Sequence, residues 1–322
     1  MRDAVRDPSE LARLLELPEE SLVPVAGRDA PAFENFPLFV PRGFVARMRK
    51  GDPDDPLLRQ VLPVADELLD APGFTADPVG DGAALRQPGL LHKYAGRVLL
   101  VTTGACAIHC RYCFRRHFPY AEGPRSLADW RPALDEIAAD PTIHEVILSG
   151  GDPLTIVDAT LAALVEQLES IEHLQRLRIH TRLPIVIPER VTEALVDILR
   201  SSRLTPIVVV HANHANEIDD GVALALGRLS GAGIPLLNQA VLLRGVNDRV
   251  DAQIALCERL VNHRVIPYYL HQCDRVSGAA HFEVPIESGR RILTELRTRL
   301  PGYAIPCYVA EVPGAANKEL IE

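Results

Sequence analysis

Lysine is scarce in this chain. Of the 34 basic side chains among 322 residues, only Lys50, Lys93 and Lys318 are lysines; the rest are arginines. Arginine stays protonated and cannot form a Schiff base, so any covalent amine chemistry is confined to three positions. Composition bias accounts for the skew as a whole and makes each remaining lysine more informative. An excess of positive charge is also lacking. The 43 acidic residues leave a net charge of −9, which argues against a nucleic-acid binder working by phosphate neutralisation. No apolar run reaches the roughly 18–20 residues of a spanning helix, so no membrane segment is expected. The first residues, Met1-Arg2-Asp3-Ala4-Val5-Arg6-Asp7, are charged from the start and lack an apolar core. No signal peptide is expected, and the expected location is the cytoplasm. What remains is ordinary for a soluble globular protein: 47% hydrophobic and 24% charged. That is ample apolar surface to offset the entropy of ordering. The length suits one large α/β unit or two smaller domains.

Six cysteines stand at 106, 110, 113, 257, 273 and 307. Disulfides are not expected in a reducing compartment. Cys257 falls in a helical pattern and reads as a small buried hydrophobe. Cys106, Cys110 and Cys113 differ, because they form C-x3-C-x2-C within eight residues. Three thiols this close suit zinc or an iron–sulfur cluster. Unrelated buried thiols, or a structural zinc completed by His109 or His117, are the competing readings. Structural zinc usually pairs two knuckles, and the second knuckle is missing. Three thiolates on a four-iron cluster would leave one iron open to a small molecule.

Residues 1–88 read as an N-terminal helical region. Helical patterns fall near Glu10–Leu15, near Phe44–Met48, and from Leu57 to about Leu69, with frequent Pro and Gly between them. From residue 97, short apolar runs begin near 97, 145, 177, 206, 235 and 265. They alternate with helical stretches near 127–139, 158–170, 191–200, 219–230, 250–262 and 286–299. Six such units predict a parallel sheet with right-handed crossovers. A seventh run, Ile305 to Val309, follows. The predicted fold is α/β, a partial (β/α)6 barrel over 89–300, with a C-terminal segment over 301–322. In such barrels functional groups gather where strands end. Here the ends carry the cysteine loop, Ser149-Gly150-Gly151-Asp152-Pro153, His180-Thr181-Arg182, His211-Ala212-Asn213-His214, Asn238-Gln239 and His271-Gln272-Cys273-Asp274.

The C-x3-C-x2-C spacing, with an aromatic before the last cysteine, resembles the radical S-adenosylmethionine (SAM) superfamily. The flanking tracts narrow the resemblance. Leu90-Leu91-His92-Lys93-Tyr94 with Arg97, Phe114-Arg115-Arg116-His117-Phe118-Pro119-Tyr120, Arg182-Leu183-Pro184 and Asn238-Gln239-Ala240-Val241-Leu242-Leu243-Arg244-Gly245 are similar to the lysine 2,3-aminomutase family. Cys113–Tyr120 and Pro267–His271 are similar to the branch that makes (R)-β-lysine for elongation factor P and its lysyl-ligase. The resemblance implies a [4Fe–4S] cluster on Cys106, Cys110 and Cys113, together with SAM and pyridoxal 5′-phosphate (PLP). It implies that Lys318 carries PLP and that Lys93 and Arg97 bind the PLP phosphate. Arg115 would grip the substrate carboxylate, while Asp274 and Glu311 would hold its distal ammonium. The turn Gly150-Gly151-Asp152, with His211 and Gln239, would contact SAM. An external electron donor is implied as a partner. Where Lys93 and Glu311 stand, relatives often carry Arg and Asp. Two alternatives stay open: a 2,3-aminomutase acting on arginine or glutamate, and an iron–sulfur or zinc protein without turnover. The two acids argue against glutamate, whose side chain they would repel.

Overall fold

A computed structural model describes residue 1 and residues 3–18, 36–124 and 126–322. Residues 19–35 of the expected N-terminal helical region lie outside the described residues.

The N-terminal part is built from short pieces. They are α1 (Pro8–Leu14), α2 (Arg42–Val45), α3 (Pro56–Arg59), a 3-10 turn at Ala65–Leu68 and α4 (Asp81–Ala84). The helix expected from Leu57 to about Leu69 is corrected to α3 and the separate 3-10 turn. Pro63 lies between them, and proline both lacks an N–H and clashes with the preceding turn.

A ten-stranded sheet follows, with its strands in chain order. These are β1 (Leu85–Gln87), β2 (Leu90–Tyr94), β3 (Arg97–Thr103), β4 (Glu145–Gly150), β5 (Arg176–Thr181), β6 (Thr205–Val210), β7 (Leu236–Leu242), β8 (Val265–Gln272), β9 (Cys307–Ala310) and β10 (Glu319–Leu320). Pairing is parallel from β3 to β9. It is antiparallel where β1, β2 and β3 meet, and again between β9 and β10. The first and last strands do not pair, so the expected partial barrel is present as an open, mostly parallel sheet. The sheet runs on past both ends of residues 89–300, joining all three expected segments.

The crossovers are α5 (Leu127–Ala139), α6 (Asp158–Glu169), α7 (Leu183–Val186) with α8 (Glu193–Arg200), α9 (Asp220–Gly231), α10 (Val250–Asn262) and α11 (Ile286–Arg299). Each presents one apolar stripe to the sheet. In α6 that stripe is Leu161, Leu164, Val165 and Leu168, at the spacing of one helix face. The strands answer with period two. Along β5, Leu177, Ile179 and Thr181 are buried while Arg176, Arg178 and His180 are half-buried. Leu177, Ile179, Val208, Val210, Leu236 and Leu242 join one core with the helices. Each such buried side chain contributes about 1.5–3 kcal/mol. The alternate positions, including His180 and Gln239, therefore line the opposite face, where the chemistry gathers.

Candidate active site

The cysteine loop follows β3, and the N-terminal segment clamps it. His109 N donates to Phe39 O (2.9 Å) and Arg111 N to Gln60 O (2.9 Å). The Arg111 guanidinium is fully buried against Glu67, which also accepts from Arg116 (2.7 Å). His109, offered above as a zinc ligand, turns instead to the Pro37 carbonyl (2.8 Å) and stacks on Phe36. His117 turns to the Ser277 carbonyl (3.1 Å). Neither histidine completes a zinc site, so that reading falls. Cys106, Cys110 and Cys113 are free, half-buried thiols. Burial lifts the Cys113 thiol to about 11, and Cys110 beside it adds to the rise. Burial also lifts Cys106, and Cys113 raises it further. Thiols that oppose one another's ionisation in this way suit a shared cationic iron group, which would reverse the effect. Among the described residues, no three His, Cys, Asp or Glu side chains already form a metal-ligand set.

The end of β4 is stitched to this loop. Gly151 N donates to Thr103 O (2.7 Å) and Asp152 N to Ala105 O (2.8 Å). A Cβ on Gly151 would lie 2.3 Å from the Ala105 carbonyl oxygen, and one on Gly150 (φ +120°) 2.5 Å from Thr103 O. Both glycines are thus required by backbone packing, apart from any ligand. Asp152 is a brace. Its carboxylate accepts from Thr181 Oγ1 (2.7 Å) and from the backbone N–H groups of Leu154 (3.0 Å), Arg182 (2.7 Å) and Leu183 (3.1 Å). Burial raises its pKa to about 6 despite those bonds. Its oxygens are committed to the protein, so any contact of this turn with a ligand falls to its backbone.

His211 follows β6 and lies in a buried polar network. Its Nε2 lies 2.8 Å from the Tyr112 hydroxyl. Burial, helped by Arg182, pushes its pKa down to about 3, so the ring is neutral. Gln239 on β7 is half-buried on the open face.

The second group gathers about Lys318, held just before β10. Its ammonium pairs with Glu311. Glu311 also accepts from the Tyr94 hydroxyl (2.5 Å), and Lys93 lies 3.6 Å away. Burial alone would raise the Glu311 carboxyl, but Lys318 and these neighbours hold it below the usual range. Lys93 reaches Asp81 (2.7 Å), which Arg115 also grips (2.6 Å). Arg97 joins, among the described residues, through Tyr94, lying over its ring at 4.7 Å. The expected clamp of Lys93 and Arg97 is therefore split, with Lys93 turned inward to carboxylates. Asp274 has a carboxyl lifted by burial to about 7, a rise Glu311 adds to and Lys318 opposes. A cleft of about 840 Å³ opens beside Asp274 and Glu311.

Sequence reasoning missed Asp81, which lies in α4 at the edge of an irregular stretch. It also left His180 and His271 without roles. Both rings are pushed well below the ordinary imidazole value by burial, with Lys318 adding to the effect. The Nε2 of each is buried without a hydrogen-bond partner among the described residues. The available signal was polar residues at alternate positions of apolar strands, which marks a face lining a polar cavity. With three carboxylates (Asp81, Asp274 and Glu311), two neutral imidazoles and the cations Lys93 and Arg115, the group offers the Lys318 amine to a carbonyl cofactor and two cations to that cofactor's anionic end. Two buried nitrogens are free for its polar atoms.

Residues 100–254 match the profile of the Radical SAM superfamily. The chain is 50% identical over 318 residues to an L-lysine 2,3-aminomutase of Escherichia coli (strain K12), covering 99% of this chain and 92% of that one. It is 45% identical over 322 residues to one of Haemophilus influenzae, covering 99% and 94%. A third, from Clostridium subterminale, is 36% identical over 320 residues and is covered to 76%. Among solved structures, Streptococcus suis SuiB bound to S-adenosylmethionine is similar at a TM-score of 0.50 and 14% identity, over 68% of this chain and 51% of that one. That likeness speaks for the fold.

Proposed function

From the premise that the chain belongs to the lysine 2,3-aminomutase family within the Radical SAM superfamily, we propose that it converts L-lysine to (R)-β-lysine, with PLP held on Lys318. The family brings a [4Fe–4S] cluster and SAM as cofactors. When bound, cluster and SAM supply a carbon radical, and PLP supplies a ring that delocalises the unpaired electron while nitrogen moves from Cα to Cβ. Cys106, Cys110 and Cys113 would hold the cluster. The Gly150-Gly151-Asp152 turn, His211 and Gln239 would bound the SAM pocket. Lys93, helped by Arg97, would meet the PLP phosphate.

The observation that carries the reading is the grouping of Lys318, Glu311 and Asp274, to which Arg115 is linked through Asp81 and Lys93. Arg115 presents a planar fork suited to a carboxylate. Asp274 and Glu311 present two acids suited to an ammonium in a desolvated pocket. A substrate with a carboxylate at one end and a cation at the other, such as lysine, satisfies both. Glutamate would set a second carboxylate against the two acids. The likeness of Cys113–Tyr120 and Pro267–His271 to the elongation factor P branch supports a cytoplasmic role supplying β-lysine to the ligase that modifies that factor. The electron would come from an external low-potential donor.

The test is anaerobic. Protein reconstituted with iron, sulfide and PLP is given SAM, dithionite and L-lysine, and β-lysine is followed by chiral chromatography. Formation of the R product, lost in Lys318→Ala and in Cys110→Ala, is the expected result. Protein that holds cluster and PLP but turns over arginine instead would overturn the substrate assignment.

A further inference from the structure

Behind Cys110 lies a charged group that neither substrate nor PLP contacts in the reading above. Arg182, at the end of β5, has a side chain only 6% exposed, and that of its partner Glu217 is 0% exposed. Nη2 donates to Glu217 Oε2 (2.9 Å) and Gln60 Oε1 (2.6 Å). Nη1 donates to Cys110 Sγ at 2.7 Å. The guanidinium sits between the Phe44 and Tyr112 rings, at 5.4 and 5.8 Å. Glu217 is itself anchored by Gln60 Nε2 (3.0 Å) and by the backbone N–H groups of Asn213 (2.8 Å) and His214 (3.0 Å). The backbone of Arg182 is fixed by Asp152. Position, plane and charge of the guanidinium are thus all set by the protein, and one arm is aimed at a single sulfur. Neither Cys106 nor Cys113 has such a side-chain donor among the described residues.

A buried ion pair is costly to assemble and contributes little net stability, so its placement calls for another reason. Hydrogen bonds to cluster sulfurs and nearby charge set the reduction potential of iron–sulfur groups. We propose that Arg182, held by Glu217, donates a charge-assisted hydrogen bond to the cluster ligand Cys110 and raises the cluster's reduction potential, making it a positioning residue for electron uptake. The step concerned adds one electron from an external low-potential donor to the oxidised cluster; no bond forms or breaks. Glu217 is the counterweight. Its negative charge limits how far Arg182 raises the potential.

The inference rests on the cluster assignment, and its test separates the two. Full-length protein is reconstituted anaerobically without SAM or lysine. Iron and sulfide are counted, and the midpoint potential is read by titration with dithionite followed by electron paramagnetic resonance. Arg182→Met is expected to shift the midpoint to more negative values, and Arg182→Lys to restore part of the difference. Glu217→Gln removes the negative charge while Gln60 Oε1 remains as an acceptor for Nη2, and is expected to shift the midpoint the opposite way. A purely structural role predicts no shift, or shifts of the same sign. Either result overturns the proposal while leaving the cluster assignment intact. If Arg182→Met fails to hold a cluster, the Glu217→Gln potential decides: a positive shift supports the proposal, and none or a negative one overturns it. Wild-type protein that binds no iron would overturn the cluster assignment and this inference with it.

Discussion

Two pairs of carboxylates mark the two halves of the site. Near the cysteine loop, Asp152 accepts from three backbone N–H groups and a threonine, and Glu217 from two backbone N–H groups, Gln60 and Arg182. Near Lys318, Glu311 is met, among the described residues, by the side chains of Lys318, Tyr94 and Lys93. Asp274 stays close to half-protonated at neutral pH. Backbone partners cannot leave, whereas side-chain partners can exchange for a ligand's charge. One half is a fixed mount; the other is a set of charges balanced against each other until a cofactor and substrate redistribute them.

The sharpest way to break the mount is Gly151→Ala. The new Cβ has no room against Ala105, so the loop must shift, and iron retained after reconstitution should fall roughly tenfold or more. Asp152→Asn is the next largest. One carboxylate oxygen accepts from Arg182 N and Leu183 N and the other from Leu154 N and Thr181 Oγ1, so the single amide oxygen of Asn leaves one of these pairs facing an NH2 group, and a buried donor left unpaired costs about 1–3 kcal/mol. The denaturant midpoint should drop with an unchanged m-value, and cluster content should drop with it.

The exchangeable half should respond to pH. Only ionised Asp274 attracts an ammonium. With its carboxyl near 7, the ionised fraction falls as pH falls, so the apparent KM for lysine should rise up to about tenfold per unit below that value and level off above it. Asp274→Asn should raise KM and flatten the profile. Lys318, Glu311, Lys93 and Asp81 share this field, and Glu311, held ionised, should not contribute over the same range. The smallest effect is expected of Glu311→Asp. Losing reach to the Tyr94 hydroxyl costs about 1 kcal/mol, or roughly five-fold in rate. An unchanged rate and unchanged product handedness would show that the extra methylene of Glu311 has no role.

The division also explains what the sequence reveals. The parallel strands and their crossover helices were legible because each strand alternates by two and each helix repeats near 3.6. The expected helix near 250–262 is α10, Val250–Asn262, with Cys257 buried in it. The β1–β2 hairpin was missed, since three to five residues flanked by glycine carry too little pattern. The two-residue β10 was missed for the same reason. In the site, the cysteines, glycines and Lys318 were legible as residue types that chemistry restricts. Asp81 was not, because its partners Arg115 and Lys93 are brought to it by the fold. Nor was the aim of Arg182 at Cys110, which depends on a rotamer fixed by Gln60 and Glu217 from distant segments.

A strand order that copies the chain order also copies the order of synthesis. The ribosome makes the N-terminal clamp before the cysteine loop, and then each strand after its neighbour in the sheet. Lys318 is made after β3 to β9. Among the site residues named above, Glu311 and Lys318 are therefore made after the cysteine loop, Asp152 and Glu217, while their partners Lys93 and Tyr94, and Asp81 beyond Lys93, are made before them, so the exchangeable half is closed by joining the two ends of the sheet.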